Sequence, residues 1–468
     1  MSVLLIFIVV YLLITLLIGW WAARRVHNTQ DFVIAGRRMP MMVAACALFA
    51  TWYGSETIMG APAKYAEDGL QGVMEDPFGS SLCLILVGFF FARPLYRLNI
   101  LTLVDFFKVR FSRRMETMAA IFIVPSYFGW IAAQMVAMAL LLNVLLDIDV
   151  LWGILICLVV VVMYTYVGGM WAVSVTDFVQ TIMIIVGMVA LAVLLADKAG
   201  GVQKVLANAP AKAFQFFPER DLQSILAYFA AWITIGLGSI PQQDVFQRVM
   251  SAKTEKAAVG ASLVSGLMYL TIGLIPLFIT LCGKALYTDF GNDDPQKIIP
   301  MMVLNHAGIV IQVLFFGALL SAILSTTAGA ILAPATIIGE NLIRPIYRKM
   351  SDRMLLRTMR FSVVGVAVCS AIMASSKRNI YELVSDSSVL SLVSLFVPLA
   401  AGIYWKRASD MGGILSILGG MAGWVVGEIF ETETPTLLIG LAASIVFMIL
   451  GSLMMPDKSY EAFKEKVE

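Results

Sequence analysis

Apolar segments long enough to cross a lipid bilayer recur along almost the whole chain, and no other feature restricts the possible folds so strongly. Because a membrane-spanning helix needs about 20 apolar residues, the sequence predicts thirteen spans. These are residues 2–23, 41–65, 77–98, 116–146, 150–168, 174–197, 222–246, 257–282, 304–340, 355–375, 383–404, 409–430 and 435–455. Only 14% of the residues are charged, against about 25% in a soluble protein. We therefore expect an all-α polytopic membrane protein whose partner is the lipid bilayer.

Basic residues are distributed unevenly between the two sets of loops. With alternating spans, 24 of the 33 Lys and Arg residues fall on one side, and cytoplasmic loops carry such an excess. The distribution predicts an N-terminus outside and a C-terminus in the cytoplasm. We expect a transporter of the bacterial type in the cytoplasmic membrane. The longest outside loops, 198–221 and 283–303, are too short to be domains, so we expect no enzyme. A net charge of +2 gives no indication of a nucleic-acid partner.

Residues 47–62 of the second span are poorly suited to a continuous membrane helix. Glu56 is charged, and Gly54, Gly60 and Pro62 weaken the helix around it. Irregular backbone at membrane depth survives only where it is buried in protein or lines a cavity. A carboxylate there indicates a functional site, although Glu56 could equally serve as a buried tie between helices.

A similar interruption occurs five spans later, at residues 236–241 of span seven. This spacing predicts that spans seven to eleven repeat spans two to six in inverted form, with a binding site at the interrupted helices. The alternative is that glycine and proline are simply common in membrane helices. We favour the repeat because polar residues cluster at both interruptions, namely Thr51, Ser55, Glu56, Ser239, Gln242 and Gln243.

Two further helices carry polar side chains at helical spacing. In span nine, Ser321 and Ser325 share a face and Thr326 adjoins them, which offers hydroxyl oxygens of the kind that Na⁺ prefers. Such residues also bond to their own helix or join helices together. In span four, Trp130 and Gln134 are one turn apart and form either a packing face or the wall of a pocket.

Smaller features lie near the inner ends of spans five to seven. Gly168 and Gly169 predict a tight turn between spans five and six. Asp177 either caps the following helix or serves ion release. Asp244 and Arg248, four residues apart, are spaced to form an ion pair. No grouping of His, Cys and carboxylates indicates a transition metal.

Three motifs occur in order along these spans. They are Gly168-Gly-x-x-Ala-Val-x-x-Thr-Asp-x-x-Gln180, Gln247-Arg-Val-Met-Ser-Ala-Lys253, and the segment from Ser325-Thr326 to Glu340-Asn341. With them the chain resembles the sodium:solute symporter family over about positions 1–455. The resemblance implies the fold first seen in the bacterial leucine transporter, a LeuT-type 5+5 inverted repeat preceded by one extra helix. The implied parts are 1–40 (extra helix and cytoplasmic loop), 41–197 (first repeat), 198–404 (second repeat), 405–455 (two C-terminal helices) and 456–468 (cytoplasmic tail).

The same resemblance implies a sodium site between the interrupted second span and span nine. Its ligands would be the carbonyls of Ala50, Tyr53 and Ala322 with the hydroxyls of Ser325 and Thr326. Some relatives have another hydroxyl where this chain has Ala328, which implies a single sodium ion.

The choline-transporter branch of the family looks most similar, on Ala50-Thr-Trp-x-Gly54 and Phe91-Ala-x-Pro94. In that branch an aromatic residue at the position of Trp52 faces a quaternary ammonium group. Ala133 and Gln242 stand where the other cage tryptophans are expected, so the cage is incomplete. The residues expected to contact the solute are Trp52, Ser55, Glu56, Trp130, Gln134 and Gln242.

These features together predict a secondary active symporter that imports a small polar organic solute with Na⁺ by alternating access. Two alternatives remain. One is a transporter-like membrane sensor that works with a signalling partner, and the other is a transporter coupled to protons through Glu56 or Asp177. Apart from such a sensor, we expect no obligate protein partner.

Overall fold

A computed structural model describes residues 2–287, 294–347, 349–457, 460–461 and 463. Within these ranges, the side chains of residues 2, 3, 5, 12, 15, 16, 22, 23 and 166–169 are not described. The described backbone is helical and contains no strand, only one isolated parallel bridge between Met39 and Ala252. The all-α prediction is therefore confirmed.

Twenty-two α-helices succeed one another along the described chain. They are α1 Ser2–Ala23, α2 Thr29–Ile34, α3 Met41–Ala50, α4 Ala61–Asp68, α5 Ser80–Leu86, α6 Ala92–Arg97, α7 Leu103–Arg110, α8 Arg113–Ile123, α9 Ser126–Leu146, α10 Val150–Lys198, α11 Val202–Ala207, α12 Leu222–Gly238, α13 Gln243–Ser251, α14 Glu255–Thr271, α15 Ile275–Leu286, α16 Ile298–His306, α17 Ile309–Ile337, α18 Asp352–Ser376, α19 Ile380–Ser391, α20 Val397–Tyr404, α21 Asp410–Ile429 and α22 Thr436–Met454. Wider π-type turns continue several of them, at Glu56–Gly60, Met74–Gly79, Val87–Phe91, Ile338–Ile343 and Leu392–Phe396.

Many of these helices join into units that could cross a membrane. Among the described residues, nine units are long and apolar enough, and α12 with α13 makes a tenth if that bent pair is one span. The nine are Leu70–Arg97, Arg113–Leu146, Met170–Lys198, Glu255–Leu286, Ile309–Ile343, Asp352–Ser376, Ile380–Tyr404, Asp410–Ile429 and Thr436–Met454. Each coincides with a span predicted from sequence. The chain is therefore a multi-pass membrane protein, while the full number of thirteen stays a prediction.

Both predicted interruptions are present. In the second span, α3 ends at Ala50 and the helix resumes only at Ser55. In the seventh, α12 and α13 are separated by a short break and their axes differ by 50°. The glycine and polar residues thus identified the positions where helical bonding fails.

The chain reverses direction within the residues assigned to α10. Tyr164 Oη and Thr176 Oγ1 lie 3.3 Å apart, although twelve residues of straight helix would separate them by about 18 Å. A reversal between them is therefore required. The predicted turn at Gly168 and Gly169 falls in this interval, and the side chains of residues 166–169 are not described.

Helix α19 packs closely against both interrupted spans and against α9. A Cβ atom at Gly238, where α12 ends, would lie 2.4 Å from the carbonyl oxygen of Ser388. At Gly129 of α9 it would lie 2.6 Å from the carbonyl oxygen of Leu383. At Gly60, after the first interruption, the nearest α19 atom would be 3.3 Å away. Because glycines allow these contacts, the two interruptions and α9 surround one helix.

We expect Gly238→Ala to destabilise the fold by about 1–3 kcal/mol, the usual cost of overpacking, because the added methyl group meets backbone of α19. Gly365→Ala in α18 is the matched control, since no atom lies within 4 Å of its added Cβ. There alanine should be neutral or stabilising. Thermal unfolding of both variants in detergent checks this, and equal melting temperatures would contradict the close packing.

Candidate functional site

The first interruption frees a backbone carbonyl group in the interior of the helix bundle. In a regular helix the amide of Gly54 would donate to Ala50 O, four residues earlier. Here it donates to Trp52 O at 2.8 Å, and helical bonding resumes when Ile58 N donates to Gly54 O at 3.1 Å. The Ala50 carbonyl oxygen is thus available to another partner.

That partner comes from α17. Thr326 Oγ1 donates to Ala50 O at 2.9 Å, and both residues are buried. One residue earlier, Ser325 Oγ donates to Asp177 Oδ1 on α10 at 2.6 Å, and Ser321 Oγ accepts from Gln180 at 2.7 Å. These three hydroxyls therefore join neighbouring helices.

This junction has the donor chemistry that a bare Na⁺ ion requires. The Ala50 carbonyl and the Thr326 hydroxyl are in direct contact, and Ser325 follows on the same helix beside a buried carboxylate. Ala322 lies one turn before Thr326, and Tyr53 lies within the interruption; both are buried. The two elements expected to supply the sodium ligands are thus adjacent, and the hydrogen bond between them joins two hard oxygen atoms.

Asp177 on α10 is a buried acid at the same junction. Its Oδ1 atom accepts a hydrogen bond from Ser325 on another helix, so it joins two helices, and the role in ion release stays a prediction. Its Oδ2 atom lies 3.9 Å from Nη2 of the fully buried Arg248.

The ion pair expected between Asp244 and Arg248 does not form among the described contacts: Arg248 Nη1 donates to the backbone oxygen of Asp244 at 3.3 Å. The carboxylate of Asp244 instead accepts from Tyr127 at 2.6 Å.

Glu56 contacts α9, whereas Ala50 contacts α17. Its Oε1 atom accepts from Trp130 Nε1 and from Gln134 Nε2, the latter at 3.1 Å. Glu56 is only 1% exposed, so this is a buried tie between the interruption and α9. The interaction brings three of the predicted solute residues into one cluster.

Several polar atoms in this cluster are left without a protein partner. Within the described part of the chain, Glu56 Oε2, Gln134 Oε1 and Ser55 Oγ are buried and make no hydrogen bond. Buried polar groups are nearly always paired. The cluster therefore retains two acceptors and one hydroxyl group that could bind a polar ligand.

Trp52 and Gln242 lie in the same region but have other contacts. The ring of Trp52 is buried and its centroid is 6.3 Å from that of Tyr269. Gln242 Nε2 contacts Ser391 Oγ on α19 at 3.5 Å. These two residues are therefore not bonded to the Glu56 cluster in the described structure.

Asp76 is a buried acid that the sequence interpretation missed. It accepts from Thr57 at 2.7 Å and from Ser80 at 2.6 Å, and Thr57 also contacts Trp52 O at 3.3 Å. Through Thr57, Asp76 is thus linked to the backbone of Trp52 within the same interruption. The sequence did contain a signal, because Asp76 precedes Pro77 where the polar stretch gives way to the third apolar span.

Comparison with known proteins gives consistent matches. The family model described as the sodium:solute symporter family matches residues 32–420. High affinity choline transporter 1 of Homo sapiens is 27% identical over 440 residues, covering 89% of this chain and 75% of that protein. The osmoregulated proline transporter OpuE of Bacillus subtilis (strain 168) is 27% identical over 490 residues, covering 97% and 96%.

A solved structure of similar shape is the substrate-bound outward-open state of a Na⁺-coupled sialic acid symporter. It matches with a TM-score of 0.85 and 18% sequence identity, and the match covers 97% of this chain and 99% of that one. At this identity the likeness establishes a shared fold.

We expect Glu56→Leu to destabilise the protein, because it leaves the buried donors of Trp130 and Gln134 unpaired at a cost of about 1–3 kcal/mol each. Glu56→Gln keeps an acceptor oxygen and should cost much less. Ser55→Ala is the neighbouring control, since Ser55 Oγ has no partner in the described structure. Thermal unfolding without solute measures all three variants. Equal decreases in melting temperature for Glu56→Leu and Ser55→Ala would argue against a stabilising contact between Glu56 and α9.

Proposed function

Because the chain belongs to the sodium:solute symporter family, we propose that it imports a small polar organic solute together with Na⁺ by alternating access. Members of the family and the matched relatives are transporters and not enzymes. The observation that carries the sodium proposal is the contact between Thr326 Oγ1 and the freed Ala50 carbonyl, at 2.9 Å.

The finer architecture in this proposal is thirteen spans arranged as a LeuT-type 5+5 inverted repeat, with α1 as the extra helix before it. Both interruptions, five predicted spans apart and both packed against α19, support this arrangement. The loop charges support a cytoplasmic membrane location with the N-terminus outside and the C-terminus inside. The parts are 1–40, 41–197, 198–404, 405–455 and 456–468, as the sequence predicts.

In the proposed sodium site, one ion bridges the interruption and α17. The carbonyls of Ala50, Tyr53 and Ala322 and the hydroxyls of Ser325 and Thr326 coordinate it. Binding of the ion would break the hydrogen bond between Thr326 Oγ1 and Ala50 O. Both oxygen atoms would then contact Na⁺ directly. Asp177, bonded to Ser325 at 2.6 Å, contributes negative charge beside the ion and a route for its release.

The proposed solute site lies on the Glu56 side of the same interruption. Its residues are Trp52, Ser55, Glu56, Trp130, Gln134 and Gln242. The unpaired atoms Glu56 Oε2, Gln134 Oε1 and Ser55 Oγ suit a solute that donates hydrogen bonds or carries positive charge. A cationic, zwitterionic or polyhydroxylated molecule meets this requirement, with Trp52 as an aromatic surface for a cation.

Coupling follows because both ligands use one short stretch of backbone. The sodium carbonyl at Ala50 and the solute carboxylate at Glu56 are six residues apart on opposite sides of the interruption. An ion that orders this stretch also orders the solute side. Thermodynamic linkage makes the effect reciprocal, so the solute raises the affinity for sodium by the same factor by which sodium raises the affinity for the solute.

Proton coupling is the second candidate function, and one observation favours it. The buried oxygen Glu56 Oε2 makes no hydrogen bond in the described structure and is therefore a possible proton site. Uptake into proteoliposomes separates the two, since a sodium gradient drives the first mechanism and a pH gradient without sodium drives the second.

We expect a solute that fits the site to raise the melting temperature of the purified protein only when Na⁺ is present, because binding to the folded state adds stability. A thermal-shift screen of cationic, zwitterionic and polyhydroxylated solutes measures this, in NaCl and in KCl at equal ionic strength. Stabilisation of equal size in both salts would contradict sodium coupling.

We expect Thr326→Val to raise the sodium concentration for half-maximal solute uptake by about tenfold, since a lost charge-assisted contact costs about 1.5–3 kcal/mol. Thr326→Ser keeps the hydroxyl and should preserve sodium dependence. Thr327→Val is the matched control, because Thr327 Oγ1 bonds to Ile323 O of its own helix at 2.5 Å. Uptake at graded sodium concentrations checks all three, and an unchanged value for Thr326→Val would remove that residue from the site.

A further inference from the structure

A basic cleft lies where α1 ends, away from the proposed transport site. Its volume is about 470 Å³, within the usual range for small-molecule sites. The residues that line it are Trp21, Arg24, Arg25, His27, Arg38 and Trp171. Three of them are arginines and none is acidic, so the cleft has the charge to bind an anion.

Tryptophan rings hold two of these arginines in place. The guanidinium carbon of Arg24 lies 3.9 Å from the ring centroid of Trp20. That of Arg25 lies 4.9 Å from the Trp21 ring and 5.0 Å from the Trp171 ring, so it bridges α1 and α10. Stacking uses the face of a guanidinium and leaves its N–H donors at the edge. The ion pairs found among the described residues include none with Arg24, Arg25 or Arg38.

Trp171 supplies an independent indication of a ligand. Its side chain is only 6% exposed, yet its Nε1 donor has no acceptor in the described part of the structure. A buried indole N–H usually has a hydrogen-bond partner. An oxygen atom of a molecule in the cleft would supply one, between the Trp171 donor and the arginine edges.

Nearby acidic charge does not occupy the cleft. Asp31 is the acidic residue closest to it along the chain; it is 3% exposed and accepts the backbone amide of His27 at 3.2 Å. Its Oδ1 and Arg38 Nε both lie beside Gly36, at 2.6 and 3.4 Å from where a Cβ would be, so one acid stands near the three arginines. His27 itself is exposed and is the remaining titratable group of the lining. The cleft therefore keeps its positive character.

The surroundings indicate that this ligand comes from the membrane. Trp20 and Trp21 are 54% and 53% exposed at the end of an apolar helix, which is typical of the aromatic belt at headgroup level. Basic pockets between membrane helices on the cytoplasmic side suit anionic headgroups. We propose that this cleft binds the phosphate-bearing headgroup of an anionic phospholipid.

Such a lipid would hold α1 against α10. The two helices already touch, because a Cβ at Gly19 would lie 3.6 Å from Tyr164 and 3.8 Å from Thr176. Thr176 Oγ1 in turn lies 3.1 Å from Ser325 Oγ. A bound headgroup that contacts Arg25 and Trp171 together therefore stabilises the helix pair behind Ser325, whether or not that residue binds sodium.

Titration of the delipidated full-length protein in detergent tests this site. We expect phosphatidylglycerol to raise the melting temperature saturably and phosphatidylcholine to leave it unchanged. Arg25→Gln should weaken the apparent lipid affinity about fivefold, as expected for one basic residue at a lipid surface. Trp171→Phe should weaken it while keeping a packed ring. Arg114→Gln, an exposed arginine outside the cleft, should bind as the unaltered protein does.

The contrary outcomes are distinct. Equal stabilisation by both lipids would overturn headgroup recognition. Inorganic phosphate that reproduces the stabilisation, and loses it in Arg25→Gln, would assign the cleft to free phosphate and overturn the lipid source. Equal lipid affinities for Arg25→Gln and Arg114→Gln would place binding elsewhere. If Trp171→Phe does not fold, the double variant Arg24→Gln with Arg38→Gln replaces it, and an unchanged affinity there would also overturn the site.

Discussion

The hydrogen bond between Thr326 and the Ala50 carbonyl allows the backbone to leave helical geometry at membrane depth. No water is available in the hydrocarbon core, so each freed backbone group needs a protein partner. The Gly54 amide donates to Trp52 O instead of Ala50 O, and the Thr326 hydroxyl on α17 donates to the Ala50 carbonyl that is left. The position of α17 is thus fixed by the interruption, and the same oxygens form the proposed ion site.

The acidic side chains around the interruption extend this arrangement to other helices. Glu56 is held by two donors from α9, and Asp76 by Thr57 and Ser80. Asp177 receives Ser325 from α17. Each buried carboxylate therefore links separate segments of the chain. A displacement of one of these carboxylates would therefore also displace the helices bonded to it, as the proposed alternating access requires.

Overall sequence similarity does not identify the solute of this protein. The human choline transporter and the bacterial proline transporter are each 27% identical to this chain, although choline and proline differ in charge and shape. In the proposed solute site, selectivity would depend on the few side chains beside the interruption. Glu56 and Gln134 leave unpaired acceptors there in the described structure. The resemblance to the choline branch implies tryptophan where this chain has Ala133 and Gln242, so the proposed site is more polar than an aromatic cage.

The sequence by itself determined the membrane class, the positions of the nine spans found among the described residues and both interruptions. These depend on local properties, since apolar length sets a span and glycine with polar residues weakens a helix. Only the tertiary structure decided which side chains meet: Glu56 with Trp130, Ser325 with Asp177, and Arg248 with the backbone of Asp244 instead of its carboxylate. It also showed that Asp76 accepts hydrogen bonds from Thr57 and Ser80 beside the first interruption. Such contacts depend on how each helix is rotated and on which helix lies beside it, because a buried polar group must find its partner across the helix interface.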